Sequence, residues 1–329
     1  MLKQQILPAY DIISVGDATL DVFVSLKEAS VLCNLQKDVC QLCLSYADKI
    51  PVEKVQRLIG GNAANNAVGS SRLGLKAAFY SIVGNDETGR NIMETVCDAK
   101  VSCEYMQIDK KQESNYSVVL NYKGERTILV YHIDRKYKMP KFKPTKWFYL
   151  TSMGKNHLGF HMELLAHVKK TGAQLAFNPG THQLKEGLEK LRPLLAETSV
   201  LFVNKEEAQR LVGQIADIKE LIVAMKRIGS KIVVITDGDK GSYAHDGVSF
   251  WKCGITKTAV VERTGAGDSF ATAFLAATIQ GKQIPEALHW GTMNSGSVIT
   301  KVGPQAGLLT KPQIQAWLKK YPKPRAVKF

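Results

Sequence analysis

The chain has 329 residues, 45% of them hydrophobic, enough to bury a large core as one big α/β unit or about two smaller ones. Six cysteines are too sparse for a disulfide scaffold at this length, no apolar signal segment precedes Asp11, and no apolar run approaches the roughly 18 residues needed to span a bilayer, so a soluble cytoplasmic protein is expected. The formal charge of +14 favours anionic partners but does not say whether they are nucleotides, sugar phosphates or nucleic acid.

Asp11 to Gly16 reads as a buried strand, and Asp17 to Val24 as a turn and second strand that carries Asp21 on a short polar break. A carboxylate there can accept from two neighbouring hydroxyls, as a polyol or ribose would require; a plain turn aspartate is the competing reading. Residues 25–59 are longer than the usual connection between two strands. Cys40 and Cys43, with Cys33, offer part of a zinc site, but no histidine lies nearby; buried reduced thiols in an extra helix are the preferred reading.

Gly60-Gly61-Asn62-Ala63-Ala64-Asn65-Asn66-Ala67 follows, where two glycines let a ligand approach the backbone and the asparagines supply amide donors and acceptors. Ala77 to Val83 reads as a strand, Gly84-Asn85-Asp86 as a turn and Glu87 to Val96 as a helix. Ser114 to Tyr122 and Arg126 to His132 alternate across Lys123-Gly124-Glu125, the pattern of a β-hairpin. The basic stretch Arg135 to Lys146 holds Tyr137 and Phe142, a composition that suits single-stranded nucleic acid. Pro140 and Pro144 make it a loop instead of a stacking platform, so nucleic-acid binding is not expected.

Apolar strands at Trp147 to Leu150, Gln174 to Phe177, Val200 to Val203 and Lys231 to Ile235 alternate with helical segments, which argues for a parallel sheet with helices on both faces. Polar groups cluster at the strand ends, where open α/β sheets bind ligands. They are Asn178 after one strand, Asn204 and Glu207 after the next, and Thr236, Gly238 and Gly241 after a third. Asn204 and Glu207 are equally explained as a helix N-cap and its capping-box partner. No G-x-x-x-x-G-K-[ST] sequence occurs, which excludes a P-loop.

A further apolar strand is expected to end near Val261, before Glu262-Arg263-Thr264-Gly265-Ala266-Gly267-Asp268 and a helix written by Phe270, Ala273, Phe274, Ala277 and Thr278 up to Gly281. Gly265-Ala266-Gly267 strips away side-chain bulk, so backbone N–H groups can converge on an anion at the helix start. Asp268 sits beside that anion site, a costly arrangement unless the carboxylate accepts a proton from an attacking hydroxyl; complementing the helix dipole is the plainer role.

The Gly60 to Ala67 stretch closely resembles the first signature, and Thr264 to Asp268 the C-terminal signature, of the ribokinase-like (pfkB) family of carbohydrate and nucleoside kinases. Gly16 with Asp21, the Val83-Gly84-Asp86-Gly89 stretch, Asn204 with Glu207, and Thr236-Gly238-Gly241 also match family patterns, so the likeness runs from Gly16 to about Gly307 with the insertion 25–59 as its chief departure. It implies a single 1–329 kinase domain: an α/β three-layer sandwich with a mostly parallel central sheet and a small β-sheet lid from about 22–59 and 112–135. The implied activity is ATP- and Mg-dependent transfer of the γ-phosphate to an alcohol of a sugar. A nucleoside kinase and a non-catalytic sensor or scaffold of the same fold are the alternatives.

By resemblance Asp268 is the base, and the amides of Gly265, Ala266 and Gly267 receive the γ-phosphate. Asp21, Gly60, Gly61, Asn62 and Asn65 hold the acceptor; Asn204, Glu207, Thr236, Gly238, Gly241 and Thr264 lie on the nucleotide side, with Glu207 reaching Mg2+ through water. Glu262 and Arg263 depart from the family's usual residues near its monovalent-cation loop, which leaves potassium dependence open; Arg263 is either a phosphate contact or solvent-facing. A phosphorylated acceptor would need extra cations, with Arg126 and Arg135 as candidates. A two-fold dimer through the lid is expected, unless Val31, Leu32, Leu35, Val39, Leu42, Leu44 and Tyr46 of the insertion cover the lid within one chain.

Overall fold

The computed structural model describes residues 7–34 and 39–329. The chain starts with strands β1 (Tyr10–Val15), β2 (Thr19–Leu26), β3 (Ser30–Asn34), β4 (Val39–Cys43) and β5 (Val52–Gly60). Then come α1 (Asn62–Arg72), β6 (Ala77–Tyr80), β7 (Ile82–Gly84), α2 (Glu87–Asp98), β8 (Gln107–Asp109), β9 (Tyr116–Tyr122) and β10 (Glu125–Tyr131). A regular alternation follows: β11 (Thr145–Leu150), α3 (Leu158–Thr171), β12 (Gln174–Phe177), α4 (Thr181–Glu186), α5 (Leu188–Glu197), β13 (Val200–Asn204), α6 (Lys205–Val212), α7 (Ile218–Lys226) and β14 (Ile232–Thr236). The chain closes with β15 (Ser242–His245), β16 (Phe250–Cys253), α8 (Ala266–Ile279), α9 (Ile284–Val298), α10 (Lys311–Lys320) and β17 (Val327–Lys328).

The main sheet has nine strands in the order β17-β16-β15-β14-β13-β12-β11-β1-β6, parallel from β14 to β6 and antiparallel along the β15 to β17 edge. Successive residues of a strand point to opposite faces, and both faces here are covered. Ile12, Tyr149, Phe202 and Val234 join the core formed with α1, α8 and α9, whereas their neighbours Ile13, Phe148, Leu201 and Val233 join the core formed with α3, α5 and α7. The result is the ribokinase-like layering of helices, sheet and helices. Every parallel strand delivers its carboxyl end to one rim.

Over that rim lies a second sheet of four strands, ordered β10-β9-β2-β5. The β9–β10 hairpin turns at Lys123 and Gly124, both at positive φ (50° and 84°), a two-residue geometry that matches the strand twist. Asp21 is not on a break: it lies inside β2, paired with Leu58 of β5 and Ser117 of β9. Ser81 interrupts the strand expected over Ala77 to Val83, so β6 joins the main sheet while β7 pairs with β8.

Three expectations need correction. The insertion is not an extra helix with buried thiols: β3 and β4 form an exposed hairpin in which Cys33 and Cys40 face each other and are disulfide-bonded, leaving Cys43 as the free thiol. Leu35 and the side chain of Val39 lie outside the described residues. No strand ends near Val261, because 254–261 leaves β16 as irregular chain with Val260 and Val261 exposed. Arg135 is no free cation: it is fully buried, donating to Asp109 Oδ2 at 3.1 Å and to the Glu113 carbonyl. In the same basic stretch Phe142 is buried and the half-buried Tyr137 bonds Asp17 through its hydroxyl.

α8 is buried on nearly every side, since its small and apolar residues pack against α1, α9 and the sheet at once. Phe274, fully buried and edge-on to Phe202 at 5.5 Å, is its largest anchor. Phe274→Ala is expected to cost about 3–5 kcal/mol, read as a drop in the urea midpoint with an unchanged slope.

Candidate active site

The part of the site expected to hold the acceptor is assembled where β2, β5 and the start of α1 meet. Asp21 is buried in β2, and Gly60, at the end of β5, runs directly past it: a Cβ on Gly60 would overlap the Asp21 carboxylate. Glycine is therefore needed there for close approach, not for an unusual backbone angle. Burial pushes the Asp21 carboxyl up to about 7, with the nearby charge of Asp268 adding to it and hydrogen bonds from Ser117 and Thr19 opposing it. Asp21, Gly61, Asn62 and Asn65 line a cleft of about 470 Å³ whose floor carries Asp268 and whose roof carries Ile128 and Val130 of β10.

Asp268 occupies the first turn of α8. Gly265 precedes that helix in the left-handed region at φ 78°, and a Cβ there would press into Pro304, so only glycine makes this entry. Ala266 N–H contacts the Arg263 carbonyl at 3.3 Å and Ser269 N–H bonds the Gly265 carbonyl at 2.9 Å; the amides of Gly267 and Asp268 have no acceptor within the helix. Asn65 Nδ2 donates to Asp268 Oδ2 at 2.8 Å. The other end of that amide is fixed as well, because Gln305 Nε2 donates to Asn65 Oδ1 at 3.1 Å. Burial raises the Asp268 carboxyl above the usual range and the Asn65 bond offsets part of this, so Asp268 is a stronger base than a free aspartate.

The loop before α8 is tied down by Glu262, whose buried carboxylate accepts from Thr264 N at 2.6 Å, from Thr264 Oγ1 at 2.5 Å and from Gly303 N at 3.4 Å. Thr264 thus braces the anion loop from within and also lines the cleft. Arg263 is exposed.

A second cavity, about 680 Å³, lies on the other side of the α8 start and is lined by Thr236, Gly238, Gly241, Thr256, Val260 and Gly296 among others. Asn204, Thr236, Ala266, Gly267, Arg126 and Arg263 border both cavities, so the two open onto one another over the α8 N-terminus. Asn204 and Glu207 form the reciprocal capping box of α6, with Glu207 Oε2 accepting from Asn204 N at 2.8 Å and Asn204 Oδ1 from Glu207 N at 2.7 Å. The capping role and the site position therefore coexist. Burial raises the Glu207 carboxyl; the Asn204 backbone bond opposes this and the charge of Asp268 adds to it.

Among the described residues no group of three or more His, Cys, Asp or Glu side chains could hold a metal directly. What is present fits Mg2+ bound mainly through water and phosphate: Glu207 has a second carboxylate oxygen to offer, and the electrostatic strain between it and Asp268 is of the kind a cation relieves. All the residues expected at the acceptor, anion and nucleotide positions are thus gathered along this double cavity, except that Gly60 contributes by making room for Asp21. Gln305 was not anticipated. It follows a Gly303-Pro304 turn far from either motif, and a polar residue just after such a turn was the only local signal.

A family model described as pfkB family carbohydrate kinase matches residues 28–311. The chain belongs to this family of carbohydrate kinases. It is 28% identical over 291 residues to a 5-dehydro-2-deoxygluconokinase of Shouchella clausii, covering 81% of this chain and 89% of the relative. It is 23% identical over 309 residues to an ATP-dependent 6-phosphofructokinase of Thermoanaerobacterium thermosaccharolyticum, covering 89% of each. In fold it is similar to Arabidopsis thaliana ribokinase complexed with ribose and ATP, with a TM-score of 0.77, 22% identity and coverage of 94% and 99%. The nucleoside kinase of Methanocaldococcus jannaschii gives a TM-score of 0.75 at 21% identity, with coverage of 94% and 98%.

The raised Asp21 value carries a stability consequence. A carboxyl whose folded value lies above its ordinary value of 3.8 favours the fold fully below that value, and this contribution is lost as the pH rises through about 7. Between pH 5 and pH 8 the ligand-free protein is expected to lose on the order of 2 kcal/mol from this group. Asp21→Asn should flatten that slope in paired urea titrations; an unchanged slope would remove Asp21 as its source.

Proposed function

We propose that the protein transfers the γ-phosphate of ATP to a hydroxyl of a sugar bound beside Asp21. One observation carries this reading: Asp268 stands at the start of α8, where a hydroxyl-reading cleft and the cavity bordered by Thr236 and Gly238 meet. Asp21 accepts hydrogen bonds from acceptor hydroxyls, and the amides of Gly61 and the side chain of Asn62 frame the sugar. Asn65 holds Asp268 facing the hydroxyl that reacts, and Gln305 keeps the Asn65 amide from turning over.

As the hydroxyl oxygen bonds to the γ-phosphorus, the bond from phosphorus to the ADP oxygen breaks, and the hydroxyl proton passes to Asp268. We assign the amides of Gly265, Ala266 and Gly267 to the charge on the transferring group, with the Ala266 N–H exchanging its 3.3 Å contact with the Arg263 carbonyl for the phosphoryl oxygen. Asn204, Thr236, Gly238 and Gly241 line the nucleotide side, and Thr264 keeps the anion loop in shape. Mg2+, reached from Glu207 through water, would neutralise charge on the phosphates. The lid strands β9 and β10 exclude water from the cleft, which favours transfer to sugar over hydrolysis of ATP. An enzyme that consumes ATP belongs where ATP is made, and we place this one in the cytoplasm.

Asp268→Asn is expected to fold normally and lose about 10²–10⁴-fold in kcat in a coupled assay of ADP release with a panel of sugars, sugar phosphates and nucleosides. Retention of most of the turnover would remove Asp268 as the base.

The small sheet leaves much of its apolar surface uncovered: Val52, Val55, Ile128, Leu129 and Val130 are exposed on it, as are Val31, Leu32, Leu44 and Tyr46 of the insertion. We propose that a second copy covers part of this surface in a two-fold dimer. Sedimentation at micromolar concentration should give twice the 36.3 kDa of one chain; a single species at the monomer mass, with or without sugar and nucleotide, would leave the hairpin as a cover within one chain.

A further inference from the structure

The acceptor cleft does not end at Asp21. Past Thr19, Asn62, Ser117 and Thr181 it runs on into an extension of about 480 Å³ on the side away from the nucleotide. The far wall of this extension carries His132, Lys155, His182 and Lys185, whereas the cations of the hydroxyl-reading part, Arg126 and Arg263, stand at its opposite end, on the border with the second cavity.

Two aspartates border the same space, and their situations decide its polarity. Asp17 is buried and fully engaged: Gly154 N donates to it at 2.7 Å, the Tyr137 hydroxyl at 2.9 Å and His132 Nε2 approaches at 2.8 Å. Its Oδ2 is turned to these donors inside the wall, where it fixes the His132 ring. Asp134 meets Lys155 at 3.5 Å, but both side chains are more than half exposed, so the pair is weak and readily exchanged for a stronger anion. Lys185 forms no ion pair among the described residues.

His182 stacks on His132 at 5.5 Å with the rings 20° apart. Burial lowers the pKa of His182, and the charges of His132, Lys185, His157 and Lys155 lower it further, the response of an imidazole to a locally positive field. Ser117, Ser152 and Thr181 add hydroxyls at the same wall. Two lysine ammonium groups, a fixed imidazole and hydroxyl donors on one side of a cavity are the complement of a phosphate or carboxylate.

We infer that this extension binds an anionic group, a phosphate ester or a carboxylate, carried by the sugar at a carbon remote from the hydroxyl that is phosphorylated. The inference rests on the kinase reading of Asp21 and Asp268, and it narrows the acceptor to a sugar phosphate or sugar acid. The anion sits on the side of the acceptor away from ATP, so it adds binding energy without crowding the transferring phosphoryl group with like charge. The product would then carry two anionic groups at opposite ends of one carbon chain.

The test uses the full chain with ATP, Mg2+ and matched acceptors: neutral pentoses and hexoses, their terminal phosphate esters and the corresponding sugar acids. Wild-type kcat/KM should favour the anionic members, and whether esters or acids lead identifies the group. In the Lys155→Met, Lys185→Met double variant, with both lysines at the surface and the fold checked by thermal melting, the anionic-to-neutral ratio of kcat/KM should fall by about 10–100-fold. An unchanged ratio, or wild-type preference for neutral sugars or for nucleosides, would overturn the anion site and leave the kinase reading standing. Absence of turnover with every acceptor would overturn both.

Discussion

One hydrogen bond, from Asn65 to Asp268 across 203 residues of sequence, joins the two halves of the site. A desolvated carboxylate this close to the buried carboxylate of Asp21 is electrostatically expensive, and the Asn65 donor offsets part of that cost. The surrounding structure serves that bond. Gln305 fixes the amide of Asn65, Arg72 Nη1 donates to the Gln305 carbonyl at 2.7 Å, and Pro304 packs where Gly265 must lack a side chain. The same short loop after α9 therefore supports both Asp268 and the turn at Gly265.

Burial of several carboxylates around one cleft also explains why the fold has a lid at all. Asp21, Glu207 and Asp268 are all held above the ordinary carboxylate range, with desolvation the first cause in each case. An open site would hydrate them and weaken each as a base or ligand for a hydroxyl. β9 and β10 border one side with buried Val119 and with Ile128 and Val130, which are exposed, leaving polar contacts at the floor and Arg126 at the boundary with the second cavity.

Much of this was legible in the sequence because it is local. The parallel strands β11 to β14 fall where the apolar runs are, since a strand buried on both faces needs an uninterrupted run. The turn at Gly265 and the capping box of Asn204 and Glu207 are likewise set by neighbours within a few residues. What escaped depends on partners distant in sequence. Cys33 and Cys40 are seven residues apart, but their pairing follows from a hairpin that the composition of 25–59 does not write, with too little periodicity to separate strand from helix. Arg135 looked like a free cation because Asp109 and the Glu113 carbonyl reach it only through the fold. The strand expected before Val261 failed for a related reason: β16 ends at Cys253, and Ile255 and Val260 beyond it border the second cavity instead of joining the sheet.

The acceptor cleft and its extension differ in how they are built, and this bears on how such a site changes specificity. Asp21, Gly60 and Asn65 are locked together: moving any one breaks a buried carboxylate contact or the bond to the base. His132 and Lys155 come instead from the loops after β10 and β11, and His182 and Lys185 from the short helix α4 that follows β12; Lys155 and Lys185 make no buried contact. Substitution at those two lysines costs little stability, whereas substitution at Gly60 strains the strand that carries it. On the proposed reading, chemistry is fixed by the buried part of the cleft, and the choice of acceptor is set by exposed side chains of two loops and the short helix α4.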